Sequence, residues 1–209
     1  MAGKKGDKRV ARTKQQLQEA FAALIEEKGL EAVTVSELTK RADVNRGTFY
    51  AHYADKNDFV EKCEREILEG IFEIQATVAP STLESFLHAY ETGEPLPVTV
   101  ALYALLAEHG AFVRALIGPQ GDPRFSSQLK DALSYNTANK ILKDKYQGSD
   151  SALVQYYLAY YTDAQHGVMK RWLSLGMKES PEEMARILTA VMFMLPGGEI
   201  SMPYREEVD

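Results

Sequence analysis

The stretch Thr34-Val35-Ser36-Glu37-Leu38-Thr39-Lys40-Arg41-Ala42-Asp43-Val44-Asn45-Arg46-Gly47-Thr48-Phe49-Tyr50-Ala51-His52 decides how the chain is read. Thr34 and Glu37 stand three residues apart as a capping box, in which each side chain satisfies a free amide at a helix start. The helix they open runs from Val35 to about Ala42, with Leu38 facing inward. Asp43, Val44 and Asn45 form a turn, and Asn45 caps a second short helix carrying Arg46 to His52. Two short helices joined by so brief a turn are a helix-turn-helix.

The second helix holds residues that a core helix would not select. Gly47 costs about 1 kcal/mol relative to alanine within a helix, yet it lets the backbone come close to DNA. Arg46 presents a planar donor fork that matches the O6 and N7 acceptors of guanine. Thr48 combines a hydroxyl with a methyl group, suited to a base edge or a thymine methyl. Tyr50, His52 and Tyr53 offer donors for phosphate oxygens.

On either side, helical spacing continues. Leu17, Phe21, Leu24 and Ile25 recur at helical intervals from Thr13 onward. Gly29 stops that helix, with Leu30 placed to fold back in a Schellman contact. Asp55 caps a long helix through Phe59, Ile67, Leu68, Ile71 and Ile74 to about Ala76. Past a break at Val78 to Ser81, Ser81 and Glu84 suggest another capping box, for a helix ending before Gly93. Further helices are expected from about Val98 to Glu108, Ala111 to Ile117, Pro123 to Tyr146 (ended by Gly148), Ala152 to Leu175 and Pro181 to Leu195. Ser180, Pro181 and Glu183 mark the last start strongly. The expected class is all-α, with nine or ten helices. The expected organisation is a basic arm and DNA-binding domain over 1–55, then a helical regulatory and dimerisation domain over 56–209. The helix over 56–76 connects the two.

Composition narrows the function. The 209 residues are 45% hydrophobic and 26% charged, a globular balance. The longest uncharged stretch, Pro95 to Ala107, is too short for the roughly 20 residues of a membrane helix. No apolar run follows the basic N-terminus, so no signal peptide is expected, and the expected location is the cytoplasm. The net charge of −6 hides an asymmetry: residues 1–60 balance at +2 and the remainder at −8. Lys4, Lys5, Lys8, Arg9, Arg12 and Lys14 face only Asp7 near the start. A basic arm on an acidic body suits a polyanion at one end; a solvated tail would carry the same charges.

From about Arg9 to Leu68, the chain resembles the DNA-binding domain of the TetR family of transcriptional regulators. The run from Val44 to Lys56 is similar to that family's Gly-Thr-aromatic-Tyr signature, aromatic-ended turn and helix-opening lysine. The resemblance implies that Arg46, Gly47 and Thr48, with Asn45, read bases. It assigns phosphate contacts to Tyr50, His52 and Lys56, supported by Thr34 and Ser36. Helix-terminal amides attract phosphate beside Lys56. Asp43 departs from the glycine common at that turn, although aspartate tolerates a left-handed conformation. Ala51 replaces the larger side chain of many relatives.

The segment from Gly167 to Trp172, with Gly176 to Met184, resembles a C-terminal subgroup whose last two long helices pair with those of a second copy. Ten of the twelve residues from Met184 to Leu195 are apolar, and a helix apolar all round needs cover on several faces. A two-fold interface supplies it, with Ala164, Gly167, Val168, Ile187, Leu188, Val191, Met192 and Leu195 as candidates. The central helix of a monomeric core is the other reading.

Aromatic walls with polar tips suit a small-molecule pocket, and the resemblance implies an effector there. Candidate lining residues are Phe86, Tyr90, Tyr103, Phe112, Tyr156, Tyr160 and His166. Tyr157 and Tyr161 share the tyrosine-rich helix, where core or interface packing accounts for at least some of the four.

No enzyme pattern is present. Cys63 has no histidine near it in sequence, and His52, His88, His109 and His166 lack zinc-protease spacing. There is no glycine-rich nucleotide loop or nucleophile elbow, and no cofactor or resident metal is expected, although distant histidines can converge. The expected function is a homodimeric regulator, a repressor released from a pseudo-palindromic operator by a small molecule. A helical regulator without an effector, or a helical protein docking to membranes or partners through its basic arm, are the alternatives. Arg46 and Thr48 separate them, since lipid binding would ignore both.

Overall fold

The computed structural model describes residues 3–78, 82–136 and 152–193. Ten helices and no strand occur among them. They are α1 (Gly3–Lys28), α2 (Val35–Arg41), α3 (Arg46–Tyr50), α4 (Lys56–Thr77) and α5 (Leu83–Thr92). Then follow α6 (Pro97–Glu108), α7 (Gly110–Leu116), α8 (Pro123–Asn136), α9 (Ala152–Ser174) and α10 (Pro181–Phe193). The expected continuation of α8 to Tyr146, and Leu195 at the end of α10, lie outside the described residues. The helices divide into two compact units. One takes the chain up to Ile67 together with His109–Ser127; the other takes Leu68–Glu108 and the chain from Gln128 onward.

The first unit is built around aromatic rings. Phe21 of α1 meets Phe59 of α4 edge-on at 5.4 Å, and Phe112 of α7 lies 5.9 Å from Phe21 and 6.1 Å from Phe59. Leu17, Leu24 and Ile25 are buried beside them, the stripe that the spacing in α1 anticipates. Such ring pairs contribute about 0.5–1.5 kcal/mol each beyond the area they bury.

α1 ends at Gly29, in the left-handed region at φ 84°. The Gly29 amide donates to the Ile25 carbonyl at 2.8 Å, but the Leu30 amide goes to the Gln120 carbonyl at 3.0 Å. The cap is therefore the simpler left-handed form and not the expected Schellman contact, because a distant carbonyl takes the Leu30 amide. Gln120 belongs to the α7–α8 turn, where Gly121 leaves no room for a side chain: a Cβ there would stand 1.9 Å from the Leu116 carbonyl oxygen.

In the second unit, α5 starts one residue later than the Ser81–Glu84 pairing suggests. Thr82 is the cap: its hydroxyl accepts from the Ser85 amide at 3.1 Å, while the Thr82 amide donates to Ser85 Oγ at 2.8 Å. Ser81 itself lies outside the described residues. Phe86, Ala89 and Leu96 form a small core against Met192 and Phe193 of α10. Arg186 ties α10 to the end of α5, donating to the Gly93 carbonyl at 3.0 Å. The expected box at α10 is present, with Glu183 N–H donating to Ser180 Oγ at 3.2 Å and Ser180 N–H to Glu183 Oε2 at 2.6 Å.

Candidate nucleic-acid interface

The helix-turn-helix is fixed by local bonds. The Thr34 side chain accepts from the Glu37 amide at 3.3 Å, and the Thr34 amide donates to Glu37 Oε2 at 3.1 Å. Glu37 also pairs with Lys28 at 2.5 Å. That bond, with the one from Thr34, holds its carboxyl at about 2, below the ordinary 4.5. α2 closes on Asp43 at φ 53°, with the Val44 amide returning to the Thr39 carbonyl at 2.9 Å and the Asp43 amide to Lys40 at 3.4 Å. This is a Schellman closure made by an aspartate where glycine would serve more easily.

Asn45 then caps α3, its side-chain oxygen accepting from the Gly47 amide at 2.7 Å. Of the five residues of α3, Phe49 alone is buried; Arg46, Gly47, Thr48 and Tyr50 are exposed. Phe49 reaches Tyr53 at 5.2 Å and Phe59 at 6.1 Å, so one side chain anchors the helix. Gly47 has no left-handed φ that would require glycine. A Cβ at that position would meet only the Asn45 cap oxygen, at 3.1 Å. A side chain there would press on the oxygen that caps α3, so the cap is the one local reason for glycine at this exposed helical site.

Among the residues expected to contact phosphate, Thr34, Ser36, Tyr50 and His52 are exposed. Lys56 is half-buried, and its ammonium donates to the carbonyls of Leu30 at 3.0 Å and Glu31 at 3.2 Å. A lysine has three donors, so Lys56 braces the end of α1 with two and retains one. Tyr53 is also half-buried; burial, then Cys63, Glu66 and Asp58, push its phenol up to about 12, which keeps it a donor. Lys40, absent from the expected set, is exposed in the last turn of α2 and has no ion pair among the described residues. Its neighbour Arg41 is paired with Glu27 at 2.6 Å. A lysine at the C-terminal end of a helix reads equally well as a dipole partner, which is why sequence alone did not single it out.

The second unit contains a cavity of about 60 Å³, several times the roughly 10–15 Å³ that one buried water needs. Three of the expected ligand residues line it: Phe86, Tyr103 and His166. Tyr90 instead stacks on Phe193 at 4.5 Å. Phe112 belongs to the aromatic core of the first unit. Tyr156 and Tyr160 are 75% and 73% exposed, so neither lines this cavity. Sequence reasoning missed Thr99, Ser134 and Lys130, whose helices come together only in the fold.

Of the expected dimer residues, Ala164, Gly167 and Val191 are exposed, while Val168, Ile187, Leu188 and Met192 are partly covered. A Cβ on Gly167 would meet nothing within 4 Å. Leu188 also lines the cavity, and Met192 Sδ accepts from the Tyr161 hydroxyl at 3.1 Å. Tyr156, Tyr160, Ala164 and Gly167 follow one another at helical spacing along α9, giving it an exposed face of two aromatics followed by two small residues.

Comparison with known proteins places these features. A family model described as "Bacterial regulatory proteins, tetR family" matches residues 17–63, and one described as "Transcriptional regulator C-terminal region" matches residues 93–193. The chain is similar to the uncharacterized HTH-type transcriptional regulator YxbF of Bacillus subtilis, 39% identical over 56 residues, covering 26% of this chain and 15% of that protein. It is also similar to the HTH-type transcriptional repressor KstR2 of Mycobacterium tuberculosis, 28% identical over 95 residues, covering 42% of this chain and 48% of that protein. The match thus spans less than half of either curated relative. In fold, it is similar to a TetR-family regulator of Syntrophomonas wolfei, with a TM-score of 0.55 at 17% identity over 86% of this chain and 92% of that one. A TetR regulator of Streptococcus agalactiae gives a TM-score of 0.53 at 18% identity, over 89% and 96%.

Proposed function

The chain belongs to the tetR family of bacterial transcriptional regulators, and from that premise we propose that α3 reads an operator and that a small molecule releases the protein from it. The observation that carries the reading is the exposure of Arg46, Gly47, Thr48 and Tyr50 around a single buried anchor, Phe49. Arg46 and Thr48 supply base-edge chemistry. Tyr50, His52, Thr34 and Ser36 supply neutral or weakly basic donors to phosphate, and these fix register without reading sequence. Asn45 contributes mainly by holding the first turn of α3, since its oxygen is already bonded to Gly47.

The working form is a homodimer joined through α9 and α10, whose two α3 helices meet half-sites about one turn of DNA apart, roughly 34–36 Å, or a multiple. The exposed face of α9 and the open space at Gly167 support this assignment. Repression is the sign of regulation, supported by the printed name of the M. tuberculosis relative. An effector in the second unit's cavity shifts the population towards a form in which the two reading helices no longer fit their half-sites. Its leverage equals its difference in affinity for the two forms. One helix, α4, carries both Lys56 and the cavity residue Gln75, which supports such a coupling.

Selection of random duplexes by the purified protein tests the reading. Enrichment of a single pseudo-palindromic motif by a species sedimenting as two chains is the expected result. Recovery of duplexes with no common motif would remove sequence-specific binding from the account.

A further inference from the structure

The cavity of the second unit has a chemical character of its own. Its apolar wall includes Phe86, Leu102, Leu106 and Met169. Into this wall are set three hydroxyl residues that are almost wholly buried: Thr99 at 8% exposure, Tyr103 at 5% and Ser134 at 5%. None of the three side-chain hydroxyls has a hydrogen-bond partner among the described residues. All three line the cavity, so an occupant with hydrogen-bonding groups can bond to them there.

The charges on the wall select the occupant further. Among the described residues, Lys130 is the one charged residue lining the cavity, and no aspartate or glutamate does so. Thr99 and Tyr103 stand four apart on α6, and Lys130 and Ser134 four apart on α8, so each helix presents its polar pair on one face. Lys130 is paired with Asp163 at 3.0 Å, but an ammonium has two further donors. His166 beside it is held below its ordinary pKa, by burial first and then by Lys170 and Lys130, so it is neutral near pH 7. A cationic ligand would find no carboxylate among the described residues of the wall to accept its hydrogen bonds. An anion that only accepts hydrogen bonds matches hydroxyl and ammonium donors, and its charged bonds are the stronger kind.

We propose that the effector is a small monocarboxylic acid with an apolar body, its carboxylate bonded by Lys130 and the Thr99, Tyr103 and Ser134 hydroxyls and its hydrocarbon lying against Phe86, Leu102 and Met169. This rests on the reading of the chain as a ligand-released regulator and specifies what does the releasing.

The chain reports on its own cavity. Trp172 is the single tryptophan, and its ring lies 5.0 Å from that of Tyr103, edge to face. Titrating the full chain with hexanoate, hexan-1-ol and hexylamine, by Trp172 emission and by calorimetry, tests the assignment. Hexanoate is expected to bind about tenfold or more tighter than hexan-1-ol, and hexylamine not to bind measurably. Lys130→Met should bring hexanoate and hexan-1-ol within a few-fold of each other. Thr99→Val with Ser134→Ala should weaken both ligands, with Lys130→Gln as a second charge-removing variant should the methionine fail to fold. Equal or tighter binding of the alcohol or the amine, or no saturable binding of any straight-chain acid from butanoate to octanoate, overturns the proposal. The same preparations are titrated with the selected duplex. Specific DNA binding with a silent cavity sinks the ligand assignment alone, whereas loss of duplex preference in the wild-type chain sinks the regulator reading beneath it.

Discussion

The ring of Phe49 lies 6.1 Å from that of Phe59, inclined by 52°, and this contact joins the five-residue α3 to the long α4. A helix so short has no stability of its own. Its position derives from the cap at Asn45 and from this one buried ring. Phe49→Ala should therefore cost about 3–5 kcal/mol in denaturant unfolding. Hydrogen exchange at the α3 amides should rise more than at those of α1.

Arg46 and Lys56 should separate in their effects, because Lys56 is also bonded to the protein. Lys56→Ala is expected to weaken all duplexes alike and to lower the denaturation midpoint as well, since the Leu30 and Glu31 carbonyls lose their donor. An unchanged midpoint with reduced DNA affinity would make Lys56 a phosphate contact alone.

Gly167 distinguishes the dimer from a monomer directly. Open space surrounds the position of its missing Cβ, so Gly167→Leu should leave the subunit folded, and loss of a mid-helix glycine favours the helix by roughly 0.5–1 kcal/mol. Crowding against a partner helix should nonetheless shift sedimentation towards single chains. A variant that remains as dimeric as the wild type places the interface elsewhere.

Glu64 should make the fold of the first unit pH-dependent. Burial first, and Asp122 second, push its carboxyl up to about 7 from the ordinary 4.5, while Arg124 works in the opposite sense, its Nη2 lying 3.1 Å from Glu64 Oε2. Because the folded value lies above the unfolded one, the contribution to stability is full below about pH 4.5 and is lost as the pH rises through about 7. The difference in urea midpoint between wild type and Glu64→Gln, followed from pH 5 to pH 8, should move against the wild type. A pH-independent difference would contradict the assignment.

Local chemistry made the helix-turn-helix legible from sequence. The Thr34 box, the Asn45 cap and the left-handed Asp43 each depend on residues within a few positions of one another. The readings that failed depended on distance or on competition. The Schellman contact at Gly29 gave way to a carbonyl from Gln120, about ninety positions along the chain. At α5, Ser81 with Glu84 fits the usual box pattern, but the cap forms one residue on, from Thr82 and a serine, Ser85, in place of the usual Glu or Gln. Phe112 is one of the aromatics expected to line a pocket, yet the chain returns to the first unit at His109. The tyrosines of α9 could not be sorted by period, because a helix with aromatics on several faces carries no single apolar stripe. Thr99, Ser134 and Lys130 carried no signal in sequence, since two helices far apart in the chain bring them to one cavity.

The most direct test of the central claim, that α3 reads base sequence, is a titration of wild type and Arg46→Ala on the selected duplex and on a scrambled duplex of equal length, at one salt concentration. The account predicts a loss of about 1–3 kcal/mol on the selected duplex and almost none on the scrambled one. Equal losses on both would show that Arg46 contributes only charge, and would contradict it.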